Sequence, residues 1–175
     1  MKKLVLCFAF LQLVLVAFAQ SINAPKAAEK LLTCNKQNVK TIMQNIGFTG
    51  IKVEKKAVEA AGGRVLTQYS GFYKGITPKC IVFFGDKRTP DLVSIQNNEY
   101  ANETVLYNNY EKLGYTLVDH KIKPAYMNKE QRNRAILRWS KETETGNIIC
   151  ISEIADVVHT NSITLIDLEA SFFKK

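Results

Sequence analysis

The chain has 175 residues, with 24 Lys and Arg against 16 Asp and Glu and a formal net charge of +8. That length holds one ordinary domain or two small ones sharing a core, and it excludes a large multidomain assembly. The four cysteines are too few for a disulfide-stapled scaffold, and so modest a basic excess makes no case for nucleic acid as the partner.

Residues 1–19 read as a secretory signal peptide. Lys2 and Lys3 form a positive n-region, Leu4 to Val16 is apolar, and Ala17-Phe18-Ala19 supplies a small-residue cleavage site before Gln20. That apolar core falls short of the roughly 20 residues needed to span a bilayer. The expectation is a secreted or periplasmic chain, with no transmembrane segment after cleavage. Its formal charge becomes +6 (22 basic against 16 acidic residues), and it keeps Cys34, Cys80 and Cys150.

Ser21 to Pro25 reads as a short leader. From Lys26 the periodicity turns helical, with Leu31, Leu32, Val39, Met43 and Ile46 on one face. Thr33-Cys34-Asn35 divides it into two helices, Asn35 caps the second, and Gly47 ends it. Strands follow at Ile51–Glu54, Val65–Tyr73, Cys80–Phe84 and Leu92–Gln96, separated by turns at Gly62-Gly63, Gly75–Pro78 and Gly85–Asp91. A helix from Glu103 to Leu113, capped by Asn102, opens the second half. Strands then fall at Thr116–Ile122, Arg134–Lys141, Asn147–Ser152 and Ser162–Leu168, with a long connection at residues 123–131.

The two halves echo each other. Asn35–Ile51 and Asn102–Val118 match at an offset of 67, which drifts to 71 by the last strand. The expected fold class is therefore α+β, a tandem duplication of a helix followed by four antiparallel strands, with the helices packed on the sheets. The repeats would occupy residues 20–98 and 99–175. In plan this is similar to the secreted β-lactamase inhibitory proteins, a likeness of architecture with no diagnostic residues behind it.

Little in the sequence points to catalysis. His120 and His159 are the only histidines, and neither has a partner at metal-ligand spacing. No nucleophile elbow, phosphate-cradling glycine loop or zinc-protease motif occurs. No cofactor or metal is expected. A cysteine-dependent hydrolase or transferase would need Cys34, Cys80 or Cys150 near a histidine base. Cys80 and Cys150 lie in the most apolar strands, where cysteine behaves as a small hydrophobe.

Charge is distributed more tellingly. Lys121 to Lys141 holds seven Lys and Arg against Glu130 alone, whereas Glu142 to Phe173 holds six acids and no Lys or Arg. Alternation along Arg134–Lys141 sets Arg134, Ile136, Arg138 and Ser140 on the face opposite Trp139, the only tryptophan. Tyr69 and Tyr73 fall on the equivalent strand of the first half and could line a groove with Trp139. The expected function is non-catalytic binding, of adaptor or inhibitor type, to another protein of the envelope or extracellular space. The candidate contacts are Arg132, Arg134, Arg138, Trp139, Tyr69 and Tyr73. An alternative is an anionic glycan or lipid head group held by residues 121–141.

Overall fold

A computed structural model describes residues 22–58, 62–124, 131–159 and 162–175. The signal peptide expected at residues 1–19 lies outside these. In chain order the elements are α1 (Ala24–Leu32), α2 (Val39–Ile46), β1 (Phe48–Val58), β2 (Arg64–Tyr73), β3 (Lys79–Phe84) and β4 (Leu92–Tyr100). There follow α3 (Glu103–Glu111), β5 (Thr116–Pro124), β6 (Gln131–Thr143), β7 (Gly146–His159) and β8 (Ser162–Lys174).

Side-chain oxygens set where the helices start. Asn23 caps α1 by accepting from the Lys26 amide at 3.0 Å, and Asn102 caps α3 by accepting from the Val105 amide at 3.0 Å. Before α2, Asn35 Oδ1 accepts from the amides of Gln37 and Asn38, while Asn38 Oδ1 takes the amide of Asn35. The helix thus begins after Asn38, three residues later than the cap expected at Asn35. Gly47 ends it at φ +112°, and a Cβ there would lie 2.7 Å from the Tyr73 ring, so both conformation and space require glycine.

The strands form one antiparallel sheet in the order β1-β2-β3-β4-β8-β7-β6-β5. A single cross-strand row runs its whole width: Val53, Tyr69, Val82, Val93, Phe172, Cys150, Trp139 and Leu117. All three helices pack on this inner face and share one continuous core with it. Leu31, Leu32, Met43, Leu106 and Tyr110 supply the helical side. Trp139 is its largest member, fully buried and stacked on Tyr110 at 4.6 Å and 15°. Such a side chain contributes about 1.5–3 kcal/mol or more by burial alone.

The expected α+β tandem of helix-plus-four-strand units is therefore corrected. The described residues are mostly strand and build one eight-stranded antiparallel sheet with three short helices. Two of those helices precede β1 and only one precedes β5. The physical cause is the pairing of β4 with β8, from Val93↔Phe172 to Tyr100↔Leu165, which removes two strand edges that separate sheets would expose. The boundary expected between residues 98 and 99 falls inside β4.

Near that seam the side-chain alternation slips. Val93 and Ile95 face inward on β4, and Phe172 and Ala170 do so on β8, so strict alternation would turn Asn97 and Leu168 in as well. Instead Asn97 takes φ +59°, the β7–β8 register shifts beside Glu153, and the next inward residues are Asn98 and Asp167. A β-bulge of this kind inverts the faces of everything beyond it.

Candidate functional site

The structure separates the expected contact residues. Trp139 has no exposed surface and Tyr69 retains 7%, so both are core and neither can touch a partner. Tyr69 donates to the Lys36 carbonyl at 3.4 Å, and Tyr73 packs edge-on against Phe48 at 5.9 Å beneath α2. Five strand spacings separate β2 from β6, about 24 Å, so Tyr69, Tyr73 and Trp139 line no common groove. Aromatics in strands usually build cores, and here the helices cover them. The side chain of Arg132 lies outside the described residues.

Arg134 and Arg138 do share a face, opposite Trp139. The Arg138 row across this outer face reads Lys52, Ser70, Ile81, Ser94, Ser171, Ile151, Arg138 and Asp119. Among the described residues no helix lies over it. In the first half Leu66, Ile81 and Phe83 pack on one another to 9% exposure or less, while Phe72, near the end of β2, stays 41% exposed beneath Lys79. In the second half Ile151 stays 42% exposed on β7, between Arg138 of β6 and Ser171 of β8.

Among the described residues, three of the cations between residues 121 and 141 are paired within the molecule. Lys121 meets Asp119 at 3.1 Å, Arg134 Nε meets Glu153 at 3.1 Å, and Lys141 crosses to Glu29 of α1 at 2.7 Å. The Arg134 contact is ionic, since its N–H makes no aligned hydrogen bond. Lys141 also sits 5.5 Å from the centre of the Tyr115 ring. Arg138 remains exposed without an ion pair among the described residues. The block is thus partly a set of cross-links and only partly a cationic surface. The long connection expected at residues 123–131 is shorter, since β5 runs to Pro124 and β6 begins at Gln131, and residues 125–130, Tyr126 among them, lie outside the described residues.

The three described thiols are free and buried. Burial pushes Cys34 up to about 11 and raises Cys80 and Cys150 further, so none offers a thiolate at neutral pH. His120 is exposed on the edge strand β5, and the side chain of His159 lies outside the described residues. No cluster of three metal-ligating side chains occurs among the described residues, nor any helix long and apolar enough to cross a membrane.

A buried polar group lies where the sequence suggested none. Tyr110 Oη contacts Ser152 Oγ at 3.1 Å and Cys150 Sγ at 3.6 Å. Beside them Asp167 has both oxygens, and Tyr100 its hydroxyl, without a hydrogen-bond partner. Burial raises Asp167 well above the carboxylate range, nearby Glu169 adds to this, and Ser152 opposes it without closing a hydrogen bond of normal geometry. Asn98, brought inward by the same slip, brackets the Ile22 backbone by accepting at 3.1 Å and donating at 3.0 Å. The only sequence signal was an aspartate in an apolar strand, which strict alternation would have sent to the opposite face.

Several recesses open among the helices and the inner face. One, about 490 Å³, lies between the α1–α2 turn and the β3–β4 loop, with Cys34, Lys36, Lys87 and Arg88 in its wall. Another, about 260 Å³, lies beside the first turns of α3 over β5 to β8. Comparison of the chain with protein-family models, with curated proteins and with solved structures gives no match.

Proposed function

We propose that the protein is an exported, non-catalytic binding protein, of adaptor or inhibitor type, which receives another protein on the helix-free face of its sheet. Export rests on the sequence of residues 1–19. The observation that carries the binding reading is Ile151, an isoleucine on an interior strand that keeps 42% of its surface in water beside an exposed arginine. Half-buried Ile136, Ile149 and Phe173 belong to the same face and extend the apolar area around it.

An exposed aliphatic side chain next to arginine suits a protein partner. Covering the isoleucine releases ordered water, and a guanidinium can pair with a carboxylate or lie against a ring. Arginine is among the residues that most often carry interface energy. Arg134, held by Glu153, belongs to the rim of this area.

The test uses Arg138→Glu and Ile151→Asp as bait beside the unaltered protein, against extracellular and envelope material from its own source. A partner captured by the unaltered protein should be recovered at least about tenfold less by each variant, as for a hot-spot residue. Emission from buried Trp139 reports that the fold is intact. Equal recovery by all three baits rules this surface out.

A further inference from the structure

The turn between β2 and β3 carries an apolar side chain that no described residue covers. Ile76 keeps 74% of its surface in water, more than any other large hydrophobic residue described. Phe72, four residues earlier, is exposed on the outer face. The turn itself is firmly built. The amides of Tyr73, Lys74, Gly75 and Ile76 donate to the carbonyls of Pro78, Gly47, Phe72 and Tyr73 respectively, and Pro78 has no amide hydrogen. Thr49 Oγ1 donates to the Phe72 carbonyl as well, at 3.4 Å. These backbone donors are satisfied within the molecule, which is the condition for entering a medium without hydrogen-bond partners.

The surroundings of this tip are cationic. Residues 43–53 span the end of α2 and the first half of β1, and residues 65–84 span β2, the turn and β3. Together they hold Lys52, Lys74 and Lys79 and no Asp or Glu. Lys79 stands over the Phe72 ring at 5.9 Å and Lys74 over the Tyr73 ring at 5.5 Å. Phe72 and Tyr73 alternate across the strand, so a cation flanks the tip on each face of the sheet. Lys52 lies on the outer face of β1, opposite Ser70. Along the Lys79 row the first carboxylate is Glu169, two strands away beyond Gln96, about 10 Å. It accepts from Ser94 and Ser171.

A convex aliphatic tip among lysines fits one kind of partner. A protein would have to offer a pocket shaped to the turn and lined with acids. A bilayer interface takes in a single side chain without a preformed cavity, and it carries phosphates at the depth of the lysines. We propose that the β2–β3 turn docks on an anionic lipid surface. Ile76 enters the boundary between head groups and acyl chains, Phe72 follows it, and Lys52 and Lys79 meet the lipid phosphates. The lysine stems lie along the apolar layer while their ammonium groups reach outward. Four strand spacings separate β2 from Ile151 on β7, about 19 Å. Lipid docking therefore stands or falls separately from the protein partner of Arg138 and Ile151.

The probe is vesicles of phosphatidylglycerol and phosphatidylcholine in equal parts, sedimented with the chain from Gln20 onward. That chain retains every described residue and lacks the apolar residues 4–16, which would bind lipid by themselves. Saturable binding is expected, weakening as salt rises and at least about tenfold weaker on phosphatidylcholine alone. Ile76→Asp, and separately Lys52→Gln with Lys79→Gln, should each weaken it at least about tenfold. Ile122→Asp, at a comparably exposed isoleucine on β5, should leave it unchanged. Emission from Trp139 identifies the variants that fold, and Ile76→Ser replaces Ile76→Asp if the latter does not. Equal binding to neutral vesicles, unchanged binding by either folded variant, an equal loss in Ile122→Asp, or no sedimentation would overturn the proposal. A protein captured by the unaltered chain and lost with Ile76→Asp, without lipid binding, would assign the tip to a protein partner instead.

Discussion

At Asp167 the fold holds a carboxyl group in the core with neither oxygen hydrogen-bonded, and burial keeps its proton on well above the usual carboxylate range. Its contribution to stability is therefore full at acidic pH, below the value of the unfolded chain. It declines as pH rises toward the folded value, because the folded state then binds more protons than the unfolded one. The slope from one such group is about 1.4 kcal/mol per pH unit. The buried tyrosines and thiols are raised from values already near or above pH 9 and do not titrate in this window. Asp167→Asn should remove the decline, so urea midpoints measured between pH 4.5 and 8 should fall less steeply in the variant. Parallel profiles would mean that Asp167 is ionised in the fold. Alternation from Ala170 and Phe172 assigns the inward place to Leu168, and no residue pattern announces the slip that gives it to Asp167. Trp139 was ambiguous for a related reason. Its strand alternates cleanly, but which face the helices would cover is decided by the rest of the chain.

Among the elements, α3 depends most visibly on one side chain. It is nine residues long, buries only Leu106 and Tyr110, and begins at Asn102. Asn102→Ala should cost about 1 kcal/mol by leaving the Val105 amide without its acceptor. A shift in the denaturation midpoint with unchanged slope would show it, and an unchanged midpoint would mean that water replaces the cap. The helix starts and the glycine stops were largely legible, since caps and left-handed glycines are local chemistry. Strand lengths were not. β7 reads as Asn147–Ser152 in sequence and runs from Gly146 to His159, because Glu153-Ile-Ala-Asp-Val-Val158 alternates no more clearly than a loop. Cross-strand pairing with β6 and β8 keeps it extended, and that support is invisible from within the segment.

In the whole molecule the decisive contact is the β4–β8 seam, which joins the first four strands to the last four under one continuous core. A single cooperative unit is the consequence. Calorimetry should give one transition whose van't Hoff and calorimetric enthalpies agree, and amide exchange in β2 and β3 should share the midpoint reported by Trp139. Two separable transitions would contradict this. The sequence showed that the second half follows the order of the first, but it carried no sign of which strand edges would meet. The same strand order leaves β1 and β5 as the outermost strands. Both carry exposed charge, Lys52, Glu54, Lys55 and Lys56 on β1 and Asp119 and Lys121 on β5, beside the exposed aliphatics Val53, Val118 and Ile122. An incoming strand must therefore desolvate ions at either end before it gains apolar contact, and more of them at β1. Both ends of the sheet thus resist lengthening by a further copy, β1 the more strongly.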